Sequence, residues 1–201
     1  MTRLYLVRHG QTALNFEGRL QGSSDAELNS TGLGQAHDAA ESLAAVLDSS
    51  VFIVSSPLLR AHRTAEVIAS AVGASVDVDR RLVERGYGVW EGVPDVMLSE
   101  EQPEQYKVWR DGGEPNVEGY EVTAAVVARM REAFDDWRRR VPGDLLFVSH
   151  GTSSRLLMLD LLSLPTDTHA LGSLETAAWS RISTGDDTPW TLERHNIGAG
   201  P

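Results

Sequence analysis

Short apolar runs alternate along this chain with longer stretches whose apolar residues recur at helical spacing. The runs are Arg3 to Arg8, Val51 to Val54, Ser75 to Val78 and Leu145 to Ser149. Their length and their Val, Ile, Leu and aromatic content predict buried strands. Leu33, Ala36, Ala40, Leu43, Ala44 and Leu47 mark an amphipathic helix over 31–47, with Asn29 or Ser30 as its cap. Ser56-Pro57 reads as an N-cap followed by Pro at the first helical position, opening a helix to about Val72. Val122, Val126, Met130, Ala133, Phe134 and Trp137 mark another helix, and one more runs from near Thr152 to about Leu162. The stretch 84–119 is rich in loops, with a short helix near Asp95 to Arg110. Ala178 to Ser183 and Trp190 to Arg194 alternate as an antiparallel pair at a sheet edge. Strands that alternate with helices predict an α/β three-layer sandwich, a mostly parallel central sheet with helices on both faces. No repeat or linker divides the chain, so residues 1–201 read as one domain.

In such sheets ligands bind at the carboxyl ends of the strands. Two of the predicted strands end there in a histidine followed by glycine: Arg8-His9-Gly10 and Ser149-His150-Gly151. Charge and composition narrow the ligand. The net charge of −11 argues against a nucleic-acid binder. No apolar run approaches the roughly 20 residues that span a bilayer. Cysteine is absent, which excludes disulfides and thiolate metal sites and fits a cytoplasmic protein. Lys107 is the only lysine, so arginine supplies nearly all the positive charge. Its planar fork matches phosphate or carboxylate, and a few arginines in one pocket hold an anion even in an acidic protein.

Further segments join the first histidine in order. They are Asn15, Arg19-Leu20-Gln21-Gly22, Leu28-Asn29-Ser30-Thr31-Gly32, Ser55-Ser56-Pro57-Leu58-Leu59-Arg60-Ala61-His62-Arg63-Thr64, Leu82-Val83-Glu84-Arg85-Gly86-Tyr87-Gly88 and Phe147-Val148-Ser149-His150-Gly151. This ordered set resembles the histidine phosphatase superfamily, which includes the cofactor-dependent phosphoglycerate mutases, over about residues 3 to 155. The resemblance implies a phosphoglycerate mutase-like fold and a nucleophilic His9 that becomes phosphohistidine. It implies Arg8 and Arg60 as phosphate clamps, His150 as a second donor to the phosphoryl group, and Asn15 and Gln21 as neutral donors. Glu84 matches the acid/base carboxylate, which protonates the leaving oxygen and then deprotonates the attacking water. Gly151 and Thr152 lie at a predicted helix start, where free amides favour anions.

Physical need agrees with these assignments. Phosphoryl transfer requires an in-line nucleophile and positive charge around the equatorial oxygens. A neutral imidazole is a nucleophile near pH 7. A catalytic metal is disfavoured, because Arg8 and Arg60 bring positive charge to the histidines, and no cofactor is called for. Other groups read more plainly. Arg63 is a surface ion-pair partner, Trp90 packs, and Arg138-Arg139-Arg140 complements a helix dipole. Thr152 and Ser153 read as caps. His37, His62, His169 and His195 have no motif support, and Glu91 only follows the glycine pattern.

Three functions remain open: hydrolysis of small phosphomonoesters, a phosphoglycerate-type mutase, and a non-catalytic phosphate-binding module. The stretch 93–121 is short and mostly acidic, and lacks the paired arginines that the resembling mutases carry there. That favours hydrolysis of a small phosphorylated metabolite of sugar phosphate or phosphoglycerate type. Family members are often dimers, so a homodimer is compatible with the resemblance.

Overall fold

The computed structural model describes residues 2–48, 50–185 and 188–198. Strand β1 (Thr2–Arg8) is followed by the short helix α1 (Ala13–Phe16) and by α2 (Ser30–Ala44). Then come β2 (Phe52–Ser55), α3 (Leu59–Val72) and β3 (Val76–Val78). Helices α4 (Asp95–Glu101), α5 (Pro103–Arg110) and α6 (Thr123–Arg140) lead to β4 (Leu145–Ser149). Helix α7 (Gly151–Leu161) and strands β5 (Trp179–Thr184) and β6 (Thr191–Ile197) complete the order. The sheet runs β3-β2-β4-β1-β5-β6. The first four of these strands are mutually parallel, and β5 is antiparallel to both its neighbours.

The two-residue period of the strands sorts the core into two layers. Leu4 and Leu6 of β1, with Leu145 and Phe147 of β4, pack against α6 and α7. Tyr5, Val7, Leu146 and Val148 face the other way, onto α2 and α3. A third cluster, Tyr87, Trp90 and Leu98 with Trp109 and Tyr120, builds a wall from the loop-rich stretch. Trp90 is fully buried there and its indole N–H donates to Gln102 Oε1 at 3.0 Å.

Two expectations about helices are corrected. The helix after β2 starts at Leu59, with Leu58 rather than Ser56 as its N-cap. Ser56 Oγ accepts from Leu58 N at 3.3 Å, and the first helical amide, Leu59 N, is bonded by Asp25 Oδ1 from a distant loop at 2.7 Å. The expected helix near 95–110 is two helices, because Pro103 drives Gln102 out of helical geometry (φ −133°, ψ 52°) and opens α5. Of the two candidate caps for α2, Asn29 is the one used, its side chain accepting from Gly32 N at 2.8 Å. Among the described residues no helix is long and apolar enough to cross a membrane.

The turn after β1 crosses the start of α2 so closely that neither backbone tolerates a side chain. A Cβ on Gly10 would lie 2.3 Å from Gly32 O, and one on Gly32 would lie 2.0 Å from Gln11 O. Gly34, on the outer face of the same helix, meets nothing within 4 Å. Gly10→Ala is therefore expected to destabilise the protein by about 2 kcal/mol or more through overpacking. Gly34→Ala is expected to stabilise it by about 0.5–1 kcal/mol through helix propensity. Urea unfolding of the two variants checks both signs; a neutral Gly10→Ala would mean that the turn relaxes freely.

Candidate active site

The carboxyl ends of β1 and β4 place the two histidines side by side, their ring centres 5.1 Å apart. The main chain of His9 is pinned between strands, its N–H donating to Ser149 O and its carbonyl accepting from Ala177 N. Its Nδ1 lies 2.7 Å from Gly10 O. A carbonyl only accepts, so Nδ1 carries the proton and Nε2 keeps its lone pair. Arg60 Nε donates to that Nε2 at 3.2 Å. Arg60 is fully buried, and its other nitrogens donate to Ser24 O (2.6 Å) and Gly22 O (2.8 Å).

His150, also fully buried, places Nε2 2.9 Å from Ser56 Oγ. Ser56 Oγ already accepts from Leu58 N, so its own proton points to His150 Nε2, leaving Nδ1 as the protonated nitrogen. That Nδ1 and the Nε of Arg8 are both buried without a hydrogen-bond partner. Arg8 is held from its far end, Nη1 donating to Leu174 O at 2.7 Å. Buried donors of this kind are costly unless an acceptor meets them, and a phosphoryl oxygen is a strong acceptor.

Glu84 closes the opposite side. Its carboxylate accepts from Arg85 N (2.8 Å), Thr152 N (3.2 Å), Ser153 N (3.0 Å) and Ser153 Oγ (3.0 Å). The free amides at the start of α7 thus go to Glu84. The expectation that Thr152 and Ser153 cap this helix with their side chains is corrected: the N-cap is His150, without a side-chain bond. Ser153 Oγ donates back to Val83 O, and Thr152 Oγ1 bonds the hydroxyl of Tyr87. The loop carrying Glu84 is clamped by Arg129 of α6, which donates to Arg81 O and Val83 O (both 2.7 Å), to Glu84 O and to Glu121.

These groups surround a cleft of about 190 Å³. Arg8, His9, Asn15, Gln21, Arg60, Glu84, Gly151 and Thr152 line it, and His150 lies behind His9. Asn15 Oδ1 accepts from Thr12 N, and Gln21 Oε1 from Thr12 Oγ1, so both side chains are fixed by their oxygens, leaving the amide nitrogens as donors. Arg19, Leu20, Tyr87 and Ser173 also line the cleft without having been singled out as site residues. The motif segments contain Arg19 and Tyr87, which was the available signal. Ser173 and the clamp Arg129 had none.

The groups read plainly from sequence sit elsewhere. Arg63 pairs with Glu66 on the surface. Glu91 ties two loops, accepting from Ser23 N and Tyr87 N (both 3.1 Å). His195 bonds Ser180 Oγ on the edge strand.

Burial, and then the neighbouring charges of Arg60 and Arg8, hold His9 well below the usual imidazole range. Burial and Arg60 do the same to His150. Both rings are therefore neutral at pH 7, as a nucleophile must be. An unfolded histidine takes its proton at about pH 6.5, whereas these two resist it when folded. The unfolded chain thus binds more protons on acidification, and stability is lost as pH falls below about 6.5, by roughly 1.4 kcal/mol per pH unit for each histidine. Unfolding free energies measured from pH 7 to 5 are expected to fall less steeply in His150→Gln than in the unsubstituted protein. Equal slopes would place His150 outside this linkage.

Comparison with known proteins accords with this arrangement. A model of the histidine phosphatase superfamily (branch 1) matches residues 4–198. Glucosyl-3-phosphoglycerate phosphatase of Mycobacterium tuberculosis is 34% identical over 214 residues, covering 98% of this chain and 95% of that protein. A Yersinia pestis protein named probable phosphoglycerate mutase GpmB is 34% identical over 192 residues, covering 94% of this chain and 88% of its own. The solved structure of a mycobacterial glucosyl-3-phosphoglycerate phosphatase with VO3 has a TM-score of 0.88 at 34% identity, covering 97% of this chain and 98% of that one. With the family match spanning nearly the whole chain, this protein belongs to the histidine phosphatase superfamily, branch 1.

Proposed function

We propose that this protein hydrolyses small phosphomonoesters, without a metal, through a phosphohistidine on His9. The observation that carries the reading is a neutral His9 whose Nε2 lone pair is set among buried arginine donors in one cleft. The phosphate dianion takes the donors of Arg8, Arg60 and His150, which spread over its equatorial oxygens. Asn15 and Gln21 add neutral donors, and the Gly151–Thr152 turn forms the floor beside them.

His9 Nε2 attacks phosphorus, and the bond from phosphorus to the alcohol oxygen breaks. Glu84 gives its proton to that oxygen, and the alcohol leaves. Water then attacks phosphorus, Glu84 takes a proton from it, and the P–N bond breaks. Inorganic phosphate leaves, with His9 neutral and Glu84 protonated for the next cycle. The positive charge of Arg8 and Arg60 disfavours a metal cation at the same place, and the chain supplies its own nucleophile.

The names of the relatives support a substrate of the sugar phosphate or phosphoglycerate type. One domain spanning 1–201 and a cytoplasmic location, favoured by the cysteine-free composition, belong to the same reading. A net charge of −11 speaks against a nucleic-acid partner.

Phosphate release from a panel of phosphomonoesters in EDTA, with His9→Ala as control, tests it. Release that survives EDTA and vanishes in the variant is the expected result. Conversion of 3-phosphoglycerate to its 2-isomer without phosphate release would establish the mutase instead. Glu84→Gln is expected to slow alkyl phosphates by about 100-fold or more, and aryl phosphates with good leaving groups far less. Equal slowing of both would remove Glu84 from the leaving-group role.

A further inference from the structure

The cleft around His9 opens into a second one. Thr152 and Ser173 line both, and the second cleft has a volume of about 290 Å³. Its deepest cation is Arg85, only 5% exposed. Two of its nitrogens are spent, Nη1 on the Tyr120 hydroxyl and Nη2 on Thr123 Oγ1. Its Nε is buried with no partner. Arg155, on the first turns of α7, faces the same space and donates to Leu171 O at 2.7 Å and to Thr168 O, holding the outer wall in place.

Neither Arg85 nor Arg155 forms an ion pair among the described residues, although the protein as a whole is acidic. Arg85 lowers the proton affinity of Arg155, adding to the effect of burial. Two cations enclosed together in this way, with hydrogen bonds only to neutral groups, call for an anion. Arg110 stands at the rim, its guanidinium 5.7 Å from the ring centre of Trp109, and His169 lies on the opposite wall. Asp167 is the one carboxylate lining the cleft.

We propose that this second cleft is the leaving-group subsite, and that it selects phosphomonoesters whose alcohol carries a carboxylate, bound by the free Nε of Arg85 with Arg110 at the rim. This rests on the phosphatase reading of the first cleft. The connection through Thr152 and Ser173 lets one substrate present its phosphate to His9 and its acid group to Arg85. The half-buried ring of Trp109 offers an apolar face to the carbon skeleton between the polar ends. A neutral alcohol of similar size leaves the Arg85 donor unmet and is disfavoured for that reason.

The test compares 3-phosphoglycerate with glycerol 3-phosphate, which lacks the carboxylate. The quantity read is the ratio of their kcat/KM values in the unsubstituted enzyme, in Arg85→Gln, and in Arg110→Glu, whose exposed position makes it safe for folding. The unsubstituted enzyme is expected to prefer the acid, and each variant to lower the ratio by about tenfold or more. Calorimetric binding of the same two compounds to His9→Ala, with and without Arg85→Gln, reads the subsite without turnover. Preference for the acid that depends on Arg85 in both assays supports the subsite. An unchanged ratio with unchanged binding preference overturns it while leaving phosphate release intact. Absence of turnover, with an Arg85-dependent binding preference retained, would sink the phosphatase reading and keep the acid-binding cleft.

Discussion

The buried guanidinium of Arg60 ties together three segments that have no local reason to meet. From the first turn of α3 it donates to His9 Nε2 at the end of β1, and to the carbonyls of Gly22 and Ser24 in the loop before α2. The loop in turn returns Asp25 to the first amide of α3. Removing this one side chain would leave two buried carbonyls without a donor, a cost of about 1–3 kcal/mol each. The same group holds the nucleophile in register and stands ready for a phosphoryl oxygen, so folding and catalysis draw on one set of bonds.

Charge explains why two histidines sit there unprotonated. Arg8 and Arg60 surround them, burial adds to the effect, and both rings are held below the ordinary range. Glu84 is kept on the far side of the cleft by the amides of α7 and by the clamp of Arg129 on its loop. Acid, nucleophile and anion donors therefore come from different strands and helices but are each fixed by backbone contacts. This is the preorganisation that phosphoryl transfer needs, since little covalent work falls to the protein beyond the histidine.

The layered fold was legible in the sequence, because the periods of two and of 3.6 residues are local properties. Strand Leu145–Ser149 agrees residue for residue, and the edge pair Trp179–Thr184 and Thr191–Ile197 lies within two or three residues of its expected limits. Local pattern misplaced the start of α3 because its first amide is satisfied by Asp25, more than thirty positions away. The motif segments pointed to His9, His150, Arg8, Arg60 and Glu84, and the fold brings all five together. The use of α7's amides was not legible, since Glu84 is 68 residues from Thr152. Nor was the second cleft, whose walls come from α5, α7 and the chain after it and whose arginines are scattered singly along the sequence.

The central claim is that His9 Nε2 is the atom that receives phosphate. Rapid quenching of the enzyme with substrate under alkaline conditions, followed by mass spectrometry and 31P NMR of the phosphopeptide, reads that atom directly. The expected result is a phosphohistidine at His9 carrying phosphorus on Nε2. Phosphate on Nδ1, on His150, or on no residue despite continuing turnover would contradict the account.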